Sequence, residues 1–320
     1  MVGGLLDSFP SNYTPNSSQV KLLKNIDQAF SDGYKFVVCN APTGSGKSFI
    51  SKTLANASRA IIPKNILEDH RRRHKCPYHN DRRDALINKF AALNYNMFFS
   101  LPNHIKKRQY LICDEAAELE DQLVKEFSCT INFQMLSRMD VIVRPFYSKN
   151  STNIINWINN LLLDLNEKIN DLQDKISNTK SNNKKFLIEL RKQIVSIRNL
   201  HSKLSLIIET WNDSEYLYET STEGITFMPS KVNKLSDHLF KYADKVVLMS
   251  ATIIDPVNFC KNLGIDKFKY IEAESSFDSK NAPIHCTTKT KLNYHNLKRN
   301  LPKIVKQIKQ ICDFHKNDKG

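Results

Sequence analysis

The sequence has no long hydrophobic run and no targeting signal at its start. None of its apolar stretches approaches the roughly 20 residues that a membrane-spanning helix needs. The opening MVGGLLDSFP lacks the basic region of a secretory signal, and it lacks a glycine at position 2 for myristoylation. We therefore expect an intracellular protein that has no membrane partner.

The seven cysteines never occur at the C-x-x-C spacing. They are odd in number and scattered along the chain, at positions 39, 76, 113, 129, 260, 286 and 312. This distribution argues against a disulfide framework and against a zinc ribbon. We expect reduced thiols, several of them in core strands.

Acidic residues are fewer than basic ones, at 33 against 47, which gives a formal net charge of +14. Residues 287–320 carry nine Lys or Arg against two Asp, and RRRHK at 71–75 forms a second basic cluster. An excess of positive charge favours binding of an anionic partner such as nucleic acid. The alternative is that the lysines cover solvated helix faces.

Three short apolar segments predict strands of one parallel sheet. They are YKFVVCN at 34–40, YLIC at 110–113 and DKVVLMSAT at 244–252, and each is followed by polar residues. Helical segments separate them, and the carboxyl ends of parallel strands share one edge of a sheet. The sequence therefore predicts an α/β fold whose site lies along that edge.

Residues 154–208 have a different pattern, with apolar residues at spacings of three and four. The polar NTKSNN at 178–183 interrupts it. This pattern predicts two long amphipathic helices joined by a turn, as an antiparallel hairpin.

The segment APTGSGKS at 41–48 lies between a predicted strand and a predicted helix, which is the context of a phosphate-binding loop. Position 41 is Ala where the usual pattern has Gly, a substitution found in nucleic-acid-dependent ATPases. Glycines let backbone N–H groups turn around phosphate oxygens. Lys47 would reach the β and γ phosphates, and the Ser48 hydroxyl would bind Mg²⁺. The residues predicted to bind ATP here are Thr43, Gly44, Ser45, Gly46, Lys47 and Ser48.

Two further motifs follow the second and third strands. Asp114 could hold Mg²⁺ through water, and Glu115 could polarise the attacking water, as phosphoryl transfer requires. Lys47, Asp114 and Glu115 are therefore the predicted catalytic residues, and Ser48 and Asp114 the predicted metal ligands. The third strand ends in Ser250, Ala251 and Thr252. Taken alone, Asp114 and Glu115 could be an ordinary pair of surface charges. Ser250 and Thr252 could likewise cap a helix.

In this order the motifs resemble the first motor domain of a superfamily 2 DNA helicase, of the XPD/DinG-like branch in a phage-type version. APTGSGKS resembles motif I, DEAA (114–117) motif II, with Ala117 in place of the usual His, and MSATIIDPVNFCKNLG (249–264) motif III. The resemblance implies that Gln19 reads adenine, that Ser250, Ala251 and Thr252 couple hydrolysis to DNA, and that movement is 5′ to 3′. The helical insertion resembles the arch of this branch.

The sequence departs from this family in two places. Members often hold an iron–sulfur cluster on four cysteines between motifs I and II, whereas in this sequence only Cys76 lies between Cys39 and Cys113. One thiolate does not hold such a cluster, so we expect none. The family also needs a second motor domain that supplies an arginine finger, and no motif V or VI occurs before position 320. Loss of such a finger costs about 10³ to 10⁵ in rate, so this chain alone should hydrolyse ATP weakly or not at all.

The predicted fold is a P-loop NTPase (RecA-like) parallel sheet with an inserted helical arch subdomain. Residues 1–122 and 236–278 would form the ATP-binding domain, 123–235 the insertion, and 279–320 the start of a second domain. The predicted function is an ATP·Mg²⁺-dependent motor on single-stranded or forked DNA, monomeric and cytoplasmic, in the host if the protein is phage-encoded. The alternative is a non-catalytic module that binds nucleic acid or a partner protein and retains a vestigial ATP site.

Overall fold

The computed structural model describes residues 4–42, 44–57, 91–143, 150–179, 183–212, 214–273 and 293–315. The chain divides into two compact units, Met1–Ser276 and Phe277–Gly320. The strands of the first unit are β1 (Phe36–Asn40), β2 (Arg108–Cys113), β3 (Cys129–Asn132), β4 (Tyr216–Thr220), β5 (Gly224–Pro229), β6 (Ala243–Ser250) and β7 (Phe268–Glu272). None of the helices in the described ranges is long and apolar enough to cross a membrane.

The α-helices described in the first unit vary in length from 4 to 28 residues. They are α1 (Ser17–Ser31), α2 (Lys47–Ala57), α3 (Tyr95–Ser100), α4 (Asn103–Lys106), α5 (Leu119–Phe127), α6 (Phe133–Ser137), α7 (Ser151–Asn178), α8 (Lys184–Glu209), α9 (Asp237–Phe240) and α10 (Pro256–Asn262). Two 3-10 helices span Leu5–Ser8 and Ala116–Glu118. The second unit contains α11 (Leu297–Phe314).

Four strands form a parallel sheet in the order β2-β6-β1-β7. The α/β class and the parallel sheet predicted from the sequence are confirmed, and β7 is a strand that the sequence reasoning missed. Because β6 lies between β1 and β2 and all three strands are parallel, the three motifs that follow them lie along the same edge of the sheet. Asn40 is in register with Ser250, and Cys113 with Leu248.

The sheet is covered on both faces because side chains alternate along its central strands. Val37 and Cys39 of β1 pack against buried residues of α1 and α2. Val38, between them, packs on the other face with α5, α9 and α10. Burial of each such apolar side chain contributes about 1.5–3 kcal/mol. These two cores fix β1, and therefore fix the starting point of the loop that follows it.

The insertion between β2 and β6 contains the predicted helical hairpin, formed by α7 and α8. Each helix buries six apolar residues at spacings of three and four. They are Ile154, Ile158, Leu161, Leu165, Ile169 and Leu172 on α7, and Leu190, Ile194, Ile197, Leu200, Leu204 and Ile207 on α8. The side chains of Asn150 and Asn183 accept hydrogen bonds from backbone N–H groups in the first turns of these helices.

The insertion is not wholly helical, because it also contains an antiparallel sheet in the order β3-β5-β4. Ile131, Ile225 and Phe227 of this sheet share one core with the hairpin. Helix α5 crosses the predicted boundary at 122, and its buried residues pack in the core of the parallel sheet. The sequence reasoning missed the three strands because two of them are only four and five residues long.

In the second unit, α11 carries apolar residues at 297, 301, 304, 308 and 311, a spacing that places them on one side of the helix. Lysines at 303, 306 and 309 share the remaining surface with polar residues. The helix is therefore amphipathic and basic.

Candidate nucleotide-binding site

The segment from Ala41 to Gly46 connects β1 to α2 in a tight turn. Gly44 and Gly46 have φ angles of 82° and 83°, in the left-handed region that favours glycine. The Ser45 N–H donates to the carbonyl oxygen of Pro42 at 3.1 Å. Thr43 lies outside the described residues. The local geometry is therefore a strand, a glycine turn and a helix, in the order that the sequence predicted.

Helix α2 begins at Lys47, directly after the turn, and Ser48 lies exposed in its first turn. The first N–H groups of a helix have no partner within the helix, and the helix dipole places partial positive charge there. This end of α2 can therefore receive an anion, with the Lys47 side chain beside it.

The Ser45 hydroxyl is a buried polar group without a partner among the described residues. Its side chain is 5% exposed, and its Oγ forms no hydrogen bond there. A buried donor left unsatisfied costs about 1–3 kcal/mol. A bound phosphate oxygen would accept from this hydroxyl, so the unsatisfied atom fits a ligand site.

Lys47 and Glu115 meet although they follow different strands. The Lys47 ammonium lies 3.7 Å from a carboxylate oxygen of Glu115 and donates to the carbonyl oxygen of Ala41 at 3.4 Å. The Lys47 side chain is 13% exposed and the Glu115 side chain 63%. An ion pair exposed in this way contributes at most about 1 kcal/mol. Its importance is geometric, because it shows that the loop after β1 and the acidic pair after β2 share one space.

Glu115 has a backbone conformation that non-glycine residues rarely adopt. Its φ and ψ angles are 49° and 44°, in the left-handed region. Its N–H donates to the neighbouring Asp114 carboxylate at 3.1 Å. Strain of this kind concentrates at functional sites. The sequence reasoning gave no signal for it, since left-handed residues are usually Gly, Asn or Asp.

Asp114 is exposed at the end of β2, and its backbone is held by Tyr95. The Tyr95 hydroxyl donates to the Asp114 carbonyl oxygen at 3.3 Å. Burial raises the pKa of Tyr95 well above its usual value, and the nearby Cys113 raises it further. The hydroxyl therefore stays protonated and able to donate.

Ser48 and Asp114 line one cavity of about 630 Å³, which runs along β2 between α2 and α3. Most of its other lining residues are apolar or aromatic. Ligand sites commonly have volumes of about 300–1,000 Å³ with a few polar groups. The two predicted metal ligands therefore face a common space.

Ser250, Ala251 and Thr252 lie beside the start of the glycine turn. The carbonyl oxygen of Ser250 accepts from the Ala41 N–H at 2.8 Å. The Asn40 side-chain nitrogen, in the orientation that satisfies the amide, donates to Ser250 and Ala251 carbonyl oxygens at 3.2 Å. Hydroxyls of Ser250 and Thr252 lie 3.3 Å apart.

These hydroxyls do not cap the helix that follows them. Asp255 is the residue that caps α10, since its carboxylate accepts from the N–H groups of Val257 and Asn258, each at 3.0 Å. The two hydroxyls contact each other, and the bond to the loop is made by the Ser250 carbonyl oxygen.

Gln19 reaches the same loop from the first turn of α1. Its side chain is 8% exposed, and its Nε2 lies 3.4 Å from the Ser45 carbonyl oxygen. Its Oε1 accepts from the Asn16 N–H at 3.1 Å, and the Asn16 side chain accepts from the Gln19 N–H at 2.8 Å. The sequence reasoning missed Asn16, which the N-x-x-Q spacing of a capping box indicates.

The side-chain oxygens along this edge of the parallel sheet are suitable ligands for Mg²⁺ bound together with a nucleotide. Mg²⁺ keeps several waters and takes one or two protein oxygens plus phosphates, and Ser48 and Asp114 supply such oxygens. Among the described residues, no group of three or more His, Cys, Asp and Glu side chains forms a protein-only metal site. Cys76, on which the absence of an iron–sulfur cluster was argued, lies outside the described residues. So do the basic cluster at 71–75 and part of the basic segment 287–320.

Comparison with known proteins gives structural likeness only. No protein-family model matches the chain, and no curated protein does. An apo XPD chain is similar at a TM-score of 0.39 and 15% identity, over 79% of this chain and 57% of that one. A chain named XPD helicase is similar at a TM-score of 0.36 and 11% identity, over 84% and 60%. The chain thus spans somewhat under two thirds of these structures, and TM-scores below 0.5 assign neither a family nor an activity.

Proposed function

We propose that this chain is the ATP-binding motor domain of a nucleic-acid-dependent ATPase, of the superfamily 2 DNA helicase type. The observation that carries the proposal is the meeting of Lys47, from the glycine loop after β1, with Glu115, from the acidic pair after β2. A fold that only binds a partner has no need to bring these two groups together. In this proposal the parallel sheet is RecA-like, and the α7–α8 hairpin with its small sheet corresponds to the arch of the XPD/DinG-like branch.

The glycine loop and the start of α2 would hold the phosphates of ATP. The Ser45 hydroxyl, unsatisfied among the described residues, would donate to a phosphate oxygen. Lys47 would leave Glu115 and extend to the β and γ phosphates. The phosphates carry more negative charge than the single carboxylate of Glu115, so they would bind the ammonium more strongly. Ser48 and Asp114 would hold Mg²⁺, which when bound neutralises charge on the phosphates.

Glu115 would act as the group that orients and polarises the attacking water. The Glu115 side chain is 63% exposed even beside Lys47, so water reaches its carboxylate. Its rare backbone conformation lies at the end of β2, from which the carboxylate reaches Lys47. This division of labour matches phosphoryl transfer, in which the protein mainly positions groups and stabilises charge.

Ser250, Ala251 and Thr252 would transmit changes at the loop to the neighbouring strand. The Ser250 carbonyl oxygen is bonded to Ala41, which opens the loop. A shift of the loop on nucleotide binding is therefore passed to the end of β6 through one short hydrogen bond. Single-stranded or forked DNA is the proposed track, and the basic surface of α11 is one proposed contact with its phosphates.

Comparison of the Glu115→Gln variant with the wild type, in single-turnover hydrolysis with protein in excess of ATP, tests this proposal. We expect the variant to bind ATP·Mg²⁺ as the wild type does, with hydrolysis reduced at least about 100-fold, and single-stranded DNA to stimulate only the wild type. Glu118→Gln, which removes a nearby exposed carboxylate, should change neither property.

Measurable and equal hydrolysis by the wild type and Glu115→Gln would contradict the catalytic assignment. Binding of DNA by a wild type that does not bind ATP·Mg²⁺ would favour the non-catalytic binding module instead.

A further inference from the structure

The side chain of Gln19 lies between the first turn of α1 and the glycine loop. It is one of the few polar side chains in the described residues that are more than nine-tenths buried. A glutamine that recognises adenine presents its amide to the base, so that the oxygen accepts from the base and the nitrogen donates to it. The structure places this amide differently.

Both ends of the Gln19 amide are already engaged within the chain. The oxygen completes a capping box by accepting from the Asn16 N–H at 3.1 Å. The nitrogen donates to the Ser45 carbonyl oxygen at 3.4 Å, a long hydrogen bond but a buried one. Each end keeps one further hydrogen-bonding position, but Gln19 is only 8% exposed, so a base reaches the amide only if the residue is uncovered.

Gly46 adapts its backbone to the same side chain. A Cβ built on Gly46 would lie 2.1 Å from the Gln19 Nε2 and 3.3 Å from its Cδ. Glycine at 46 is therefore favoured by its φ of 83°, and any side chain there would displace the Gln19 amide. The amide thus packs on the turn between Ser45 and Gly46, where the phosphates are proposed to bind.

We propose that Gln19 is a positioning residue for the phosphate loop and does not read the adenine base. This inference rests on the proposed nucleotide function of the loop. The Gln19 amide fixes the carbonyl of Ser45 and supports the turn at Gly46, so the neighbouring N–H groups and the Ser45 hydroxyl face the phosphates before a ligand arrives. Its loss weakens every triphosphate ligand alike, whatever base the ligand carries.

Calorimetric titration with three ligands tests the proposal: ATP, GTP and inorganic tripolyphosphate, each with Mg²⁺. For Gln19→Ala we expect the affinity to fall by roughly threefold to tenfold for all three, as loss of one hydrogen bond predicts. Asn16→Ala keeps the amide but removes its partner cap, and should produce a smaller loss with the same lack of base dependence. Gln28→Ala, an exposed change near the end of the same helix, should leave all three affinities unchanged.

Hydrogen exchange without any ligand provides a second readout. Exchange of the amides at 44–46 should be faster in Gln19→Ala and Asn16→Ala than in the wild type, because the loop loses its support. Circular dichroism confirms that both variants are folded, and an unfolded Gln19→Ala leaves Asn16→Ala to carry the test.

The outcomes separate this inference from the proposed function. Loss of ATP affinity with unchanged tripolyphosphate affinity in Gln19→Ala would show that Gln19 reads the base, and would overturn the inference. Unchanged affinity for all three ligands in both variants, or unchanged exchange at 44–46, would also overturn it. Failure of the wild type to bind any of the three ligands would instead contradict the proposed function of the loop.

Discussion

Replacement of Glu115 by glycine should leave a more stable fold than replacement by alanine, and both changes remove the proposed catalytic carboxylate. The φ of 49° at Glu115 costs a residue with a side chain about 1–2 kcal/mol. Glycine avoids this cost but increases the conformational entropy of the unfolded chain, which is worth about 0.4–1 kcal/mol against alanine. The Glu115→Gly variant should therefore be more stable than Glu115→Ala by roughly 0.8 kcal/mol, the difference between the centres of these two ranges.

The comparison of these two variants isolates the backbone term, because both lose the ion pair with Lys47. Urea unfolding followed by circular dichroism measures the difference, with the midpoints compared at equal slopes. Asp140 is a matched control, since its φ is 56° but it lies in the insertion, away from the loop. Aspartate adopts this region more readily than glutamate, so the gain of Asp140→Gly over Asp140→Ala should be smaller.

The sign of the Glu115 result decides the interpretation. At an ordinary backbone position glycine is less stable than alanine, by roughly 0.5–1 kcal/mol. A Glu115→Gly variant less stable than Glu115→Ala would therefore refute the strained conformation. Agreement would indicate that the fold accepts a stability cost in order to aim this carboxylate.

Three further predictions concern the pH dependence, the insertion and DNA. Burial raises the pKa of the Cys39, Cys113 and Cys129 thiols from 9.0 to about 12. Stability should therefore be full below pH ~9 and fall as pH rises, by about 1.4 kcal/mol per thiol at pH 10, and equal urea midpoints at pH 8 and pH 10 would contradict this. Leu204→Ala in the hairpin core should cost about 2–5 kcal/mol in urea unfolding, while the exposed Val195→Ala on the same helix stays within about 0.5 kcal/mol. Affinity for a labelled single-stranded oligonucleotide should fall by about 0.7 log units per log unit of salt for each phosphate contacted. Replacement of the three lysines at 303, 306 and 309 by glutamine should reduce that slope, and a flat salt response of the wild type would exclude phosphate-dominated binding.

The sequence predicted those parts of the fold whose signals are local and strong. The three strands followed by motifs were found because each is a run of apolar residues that precedes polar ones. The hairpin was found because its 3.6-residue periodicity extends over more than 50 residues. Buried thiols at Cys39, Cys113 and Cys129 confirm that several cysteines lie in strands.

The parts that escaped prediction depend on contacts between distant segments. The strands of the small sheet are short, and their pairing joins residues about 90 positions apart, such as Ile131 and Ile225. In β7 apolar and polar residues are mixed without a clear period, and the segment is recognised as a strand by its pairing with β1. The contact of Gln19 with Gly46, and the left-handed Glu115, are set by tertiary packing and have no separate signal in the sequence.

The proposed ATP site at the glycine loop is tested most directly by titration of ATP·Mg²⁺ into three proteins. They are the wild type, Lys47→Ala, and Lys24→Ala, which removes an exposed lysine of α1. We predict that Lys47→Ala lowers the affinity at least about tenfold, since it loses a charge-assisted contact with the phosphates, and that Lys24→Ala stays within about twofold of the wild type. Equal affinity of the wild type and Lys47→Ala, or an equal loss in both lysine variants, would contradict a phosphate site at this loop.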